Sequence, residues 1–166
     1  MLLEFFTKHP KEWEALQGDK APRGIPYDPG LVTALTHQHR QLVMLLVKAS
    51  SAAEQCYYAE SAEAVAQFKA DLDLHLQRER SQLIPYLAQH LKGEGARELL
   101  HDMHMQHALV ARTVAGFLER YLRDPVDGES LDDFVIEIER VCEEFSQAVE
   151  GEEASFYTLY MAPEAY

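Results

Sequence analysis

From about residue 29 onward, apolar residues recur in alternating steps of three and four, the spacing that lines one face of an α-helix. The first stripe reads Val32, Leu35, His39, Leu42, Leu46. The second reads Val65, Phe68, Leu72, His75, Glu79, Leu83, Tyr86, and the third Leu100, Met103, His107, Val110, Val114, Phe117, Tyr121. The fourth reads Leu131, Phe134, Ile138, Val141, Phe145, Ala148, Glu152, Leu159. Punctuation sets the bounds. Asp28 is a plausible N-cap with Pro29 at the first helical position, so the first helix is expected over 29–55. The second is expected over 61–91, bent at Pro85 and ended by Gly93 and Gly95. The third covers 96–122. The turn RDPVDGES follows, and Ser130 with Asp133 resembles a capping box that opens a fourth helix over 130–160. No strand-like alternation competes. Short connections between four long helices predict an all-α, up-down-up-down four-helix bundle over 28–162. A Pro- and Gly-rich N-terminal arm at 1–27, with one short helix around 10–16, precedes it, and a tail at 163–166 follows.

The polar interruptions of the stripes carry the chemistry. His39, His75, Glu79, His107 and Glu152 stand where a bundle wants Leu. His39 lies about 16 residues before the end of its helix and His75 about 14 after the start of the next, which makes them level. Counted from the connecting loops, Glu79, His107 and Glu152 fall within roughly two helical turns of the same height. A buried carboxylate or imidazole without a partner costs several kcal/mol or must become neutral. A metal ion removes that cost, because it takes imidazole nitrogen and carboxylate oxygen together. The spacing His75-x-x-x-Glu79 places both side chains on one face, a turn apart.

Composition narrows the field. The 166 residues hold 28 Asp and Glu against 15 Lys and Arg, a formal charge of −13, which argues against nucleic acid and against anionic membrane surfaces. An apolar content of 47% is that of a globular domain. No apolar run reaches the roughly 18 residues that span a bilayer, and MLLEFFTKHPKEWE has no basic n-region or sustained apolar region of a signal peptide. Cys56 and Cys142 form no CxxC and read as reduced thiols, so a cytoplasmic protein is expected. Of eight His, five fall off the stripes. His37 points away from His39, His9 and His90 lie in the arm and near a bundle end, and His101 is a turn too far. His104, one turn before His107, is a secondary ligand candidate.

The ordered set HQHRQLVMLL, HLQRERSQLIPYL, HMQHALVARTV and AVEGEEASFYTLY resembles the hemerythrin-like HHE cation-binding domains. Those have a His on the first helix, HxxxE on the second, His on the third, and HxxxE or HxxxxD on the fourth. The resemblance covers 28–160 and implies His39, His75, Glu79, His107 and Glu152 as metal ligands, with iron, mono- or dinuclear, as the metal. Zn or Mn also suits such donors. Two positions depart from the pattern. Ala148 stands where the fourth helix should supply His, and Met103 where the invertebrate oxygen carriers have an extra His. By analogy one half-site is intact and the other is a ligand short. A single ion or an asymmetric pair is then as plausible as a standard di-iron centre.

These readings imply a non-haem iron protein that binds O2 or NO, or that senses or buffers iron. No substrate pocket or separate catalytic acid is read, so a binding protein is expected before an enzyme. A second reading is a partner-binding regulator on a degenerate hemerythrin scaffold, whose metal is structural or absent; a protein partner or a homo-oligomer fits either reading. A ferritin-like oxidase would require Glu-x-x-His on two helices with more carboxylates, which this chain does not supply.

Overall fold

The computed structural model describes residues 24–166. The arm to residue 23, with the short helix expected near 10–16, lies outside the described residues, as do the side chains at 94, 96, 97, 104, 106 and 107. Helix α1 is Leu31–Glu54 and α2 is Tyr58–Arg78. A π turn, Glu79–Leu83, joins α2 to the short α3, Ile84–His90. Helix α4 is Glu94–Arg123 and α5 is Leu131–Ser155, followed by 3-10 turns at Tyr157–Leu159 and Pro163–Ala165. Taken as one interrupted rod, α2 and α3 make the second helix of a four-helix bundle in which α1 packs on α2 and α5, and α4 on α2 and α5. Among the described residues no helix is long and apolar enough to cross a membrane.

Local chemistry refines four of the expected boundaries. Asp28 does not cap directly. Its carboxylate accepts from the Gly30 N–H at 2.9 Å, and the helix begins at Leu31, beyond Pro29. Ser61 does not open the second helix, which starts three residues earlier; its buried hydroxyl donates to the Ala49 carbonyl at 2.8 Å and ties α2 to α1. The turn between them is a Schellman motif. Tyr57 N–H reaches the Ala52 carbonyl at 2.8 Å and Cys56 N–H the Ala53 carbonyl at 2.9 Å, with Cys56 in the left-handed region at φ 62°. The capping box at Ser130 does not form. The Ser130 hydroxyl donates instead to Asp127, and Asp133 pairs with Arg120 at 3.0 Å, clamping α5 to α4.

Pro85 has no N–H to continue the ladder, and the chain meets this with one wider turn: Ile84 N–H bonds the Glu79 carbonyl, five residues back. Helix α5 also stops earlier than the stripe implied, at Ser155 rather than near residue 160.

The core is in two parts. One cluster holds Leu42, Leu46, Phe68, Leu72, Phe117, Phe134 and Ile138 among others. The other holds Leu31, Leu35, Leu83, Tyr86, Met103, Tyr157 and Tyr160. Each fully buried aliphatic or aromatic side chain is worth about 1.5–3 kcal/mol. His39 follows Leu35 and precedes Leu42, and His75 with Glu79 separates Leu72 from Leu83. The polar residues thus form a layer between two apolar plugs. The C-terminal residues close the second plug. Tyr86 donates to the Met161 carbonyl at 2.6 Å, Asp28 N–H donates to the Tyr160 hydroxyl at 2.9 Å, and Tyr166 stacks on His90.

Candidate metal centre

Four of the sequence-derived ligands meet in this layer. His39 from α1, His75 from α2, Glu79 from the first residue of the π turn and Glu152 from the last turn of α5 are all buried, with exposures of 5% or less. Each offers one donor atom, and the four donors lie within 4.8 Å of one another. His39 Nε2 is 3.0 Å from His75 Nε2 and 3.5 Å from Glu152 Oε2, and His75 Nε2 is 3.2 Å from Glu79 Oε1. Donors bound to one ion at about 2.1 Å and at right angles stand about 3.0 Å apart. Three of the donor pairs, at 3.0, 3.2 and 3.5 Å, lie close to that spacing, and no pair exceeds 4.8 Å.

The outer partners decide which way the imidazoles face. His39 Nδ1–H donates to Glu153 Oε1 at 2.9 Å, and His75 Nδ1–H donates to Gln38 Oε1 at 3.3 Å. With Nδ1 carrying the proton on both rings, both Nε2 atoms turn lone pairs toward the same point. Imidazole ligands are held in this way in metal sites, where the second nitrogen donates to a carboxylate or a carbonyl. Two Nε2 atoms that converge at 3.0 Å with their Nδ1–H groups turned outward are the arrangement that a bound metal ion accepts. The donor set therefore fits a metal ion that accepts imidazole and carboxylate. Burial pushes the His39 pKa below its ordinary value, and the neighbouring His75 adds to this, against the raising effect of Glu153. The ring therefore favours the neutral form that a metal requires.

Tyr157 completes the cluster. Its buried hydroxyl donates to Glu79 Oε1 at 2.8 Å and lies 3.2 Å from His39 Nε2, and its ring stacks on that of His39 at 5.4 Å and 9°. Burial, then the charges of Glu79 and Glu152, push its pKa far up, so the phenol keeps its proton beside the two carboxylates.

The facing side of the layer is different. Leu72, Leu76, Val110, Ala111, Val114, Phe145, Ala148 and Val149 line a cavity of about 50 Å3 that opens onto His39, His75, Glu79 and Glu152. Ala148 lies there, half-buried, at the position where a fourth-helix His was expected. Residues 104 and 107 belong to α4, and the side chains of His104 and His107 lie outside the described residues. His37 and His101 are exposed, and Cys56 and Cys142 are free thiols.

Sequence reasoning passed over three members of the site. Glu153 reads as part of a solvated acidic run beside Glu150, yet it orients His39. Gln38 is simply the residue before His39, half-buried on the flank of the stripe. Tyr157 falls off the stripe if the fourth helix continues; the end of α5 at Ser155 and the 3-10 turn at Tyr157–Leu159 bring it in.

Compared with known families, residues 30–160 match the hemerythrin HHE cation binding domain. No curated protein and no solved structure matches the chain.

Proposed function

The chain belongs to the hemerythrin HHE cation-binding family, and from that premise we propose that it holds one non-haem iron ion between His39, His75, Glu79 and Glu152 and presents it to a small diatomic ligand, O2 or NO. The observation that carries this reading is the pair of imidazoles whose Nε2 atoms face each other at 3.0 Å while Glu153 and Gln38 hold both Nδ1 atoms outward. Two imidazoles with one or two carboxylates suit ferrous iron with an open position, although Zn or Mn takes the same donors. The iron, when bound, supplies that open position for the diatomic ligand.

The protein residues do the rest. Glu153 and Gln38 fix the tautomers and the ring planes. Leu72, Val114 and Phe145 keep bulk water from the inner face of the centre, and the 50 Å3 cavity gives a small molecule room beside it. That volume has room for a few water molecules or one diatomic ligand. The same reading covers iron sensing or buffering, in which the cavity is incidental.

The test is anaerobic purification of the chain, metal analysis, and absorption spectra before and after NO or O2. Iron bound to the chain with a spectrum that changes on adding NO is the expected result. Protein that carries no metal, takes up none, and unfolds at the same temperature with and without a chelator would overturn the reading. That result would leave the acidic bundle as a partner-binding regulator.

A further inference from the structure

Among the described residues, the polar atoms that meet in this layer belong to the donors marked by the stripes or to their outer partners, with one exception. The exception is the Tyr157 hydroxyl. It lies 2.8 Å from Glu79 Oε1 and 3.2 Å from His39 Nε2, as close as the nearest pairs of the four donors, which stand 3.0, 3.2 and 3.5 Å apart. It is held there from two sides. Its ring is parallel to the His39 imidazole, and its own backbone belongs to the 3-10 turn that starts two residues after α5 ends. A side chain placed only to fill the apolar plug would not need its oxygen among four donors.

We propose that Tyr157 is a fifth ligand, whose phenolate oxygen binds the ion alongside His39, His75, Glu79 and Glu152 when the centre holds a trivalent cation such as ferric iron, whereas beside a ferrous ion it stays the protonated hydrogen-bond donor to Glu79. The inference rests on the metal reading above. Charge supports it. Among the donors that touch the ion, two neutral imidazoles and two carboxylates sum to −2 and balance a divalent ion, and a phenolate makes −3 and balances a trivalent one; Glu153 stands outside that shell, with its carboxylate a third exposed to solvent. A buried centre of zero net charge avoids the desolvation cost that an unbalanced charge carries. Phenolate, like carboxylate, is a hard oxygen donor suited to a hard cation. As the metal–oxygen bond forms, the O–H bond breaks and its proton leaves to solvent, as protons do when metal replaces them on ligands. No electron is transferred in that step.

The test loads the full-length, metal-free chain with ferric iron supplied as its nitrilotriacetate complex. Iron per chain, visible absorption and resonance Raman spectra are recorded for the wild type, Tyr157→Phe, Tyr86→Phe and His75→Ala. The wild type should show a phenolate-to-iron charge-transfer band with tyrosinate ring vibrations. Tyr157→Phe should lose both, and bind ferric iron about tenfold more weakly or worse, while Tyr86→Phe keeps them. Iron that loads into the wild type without tyrosinate vibrations overturns the proposal and leaves the four-donor reading standing. The same holds if the vibrations persist in Tyr157→Phe. Failure of the wild type to take iron, or equal loading of His75→Ala, overturns the four-donor reading and this one with it. The wild-type spectrum decides the matter even if a variant folds poorly.

Discussion

On one side of the central layer, α1, α2 and the end of α5 bring His39, His75, Glu79, Glu152 and Tyr157 together, with Glu153 and Gln38 behind them. On the other, α4 and the middle of α5 present Val110, Ala111, Val114, Phe145 and Ala148 to a small cavity. Both sides sit at the same height in the same bundle, so the scaffold does not make the difference. Among the described residues, what differs is that the polar groups of the donor side have outer partners, while the residues lining the rest of the cavity are apolar. On the donor side the imidazole Nδ1 atoms have fixed acceptors, and the four donors lie within 4.8 Å of one another. Ala148 on the facing side brings no polar group that needs one. A half-site is a supported network, and without its second layer a lone His would be a buried polar group at a cost of about 1–3 kcal/mol.

The comparison can be broken first on its strong side. His75→Ala removes a donor and leaves Gln38 without its ring; metal affinity should fall by more than about 100-fold, beyond the loss typical of an outer partner. Equilibrium dialysis against ferrous iron measures it, and an unchanged affinity would mean that the metal sits elsewhere. The weak side can be strengthened next. Ala148→His places an imidazole at the cavity and should raise iron per chain above the wild-type value. Unchanged metal content in a destabilised fold would show that residue 148 does not address the centre.

A smaller effect tests the outer layer. Glu153→Gln keeps size and hydrogen-bonding capacity but removes the carboxylate that holds His39, and affinity should fall about 10- to 100-fold with the metal still bound at saturation. No change in the dialysis isotherm would reduce Glu153 to the solvated residue that its sequence context implies.

The smallest effect is in pH. Burial holds His39 below its ordinary value near 6.5, so in metal-free protein the unfolded chain takes up a proton that the folded chain refuses. This contribution destabilises the fold as pH falls below about 6.5, and it vanishes above that value. Urea midpoints at pH 7.5 and 5.5, compared between wild type and His39→Leu, isolate it. The wild type should lose more stability on acidification than the variant; the opposite order would mean that His39 is charged in the folded state.

The four helices and four of the donors were legible because stripes of alternating three and four residues are dense enough to expose a misplaced His or Glu. His39, His75, Glu79 and Glu152 interrupt runs of Leu, Val and Phe, and all four reached one point. The supporting layer was not legible for the same reason. Gln38 and Glu153 lie on the flanks of their helices, where polar residues are normal. Tyr157 was hidden by an assumption of continuity. On an unbroken helix it would sit roughly 140° around from Glu152, with Leu159 on the stripe instead. In the structure Tyr157 is buried and Leu159 is only half-buried, since the chain tightens after Ser155. The π turn was half legible: Pro85 announced a break, but not that it would begin at a ligand, Glu79.

The most direct test of the asymmetric centre is an anaerobic calorimetric titration of metal-free chain with ferrous iron, run beside His75→Ala. The account predicts one tight ion per wild-type chain and none of comparable affinity in the variant. Two equally tight ions per chain, or a variant that titrates like the wild type, would contradict it.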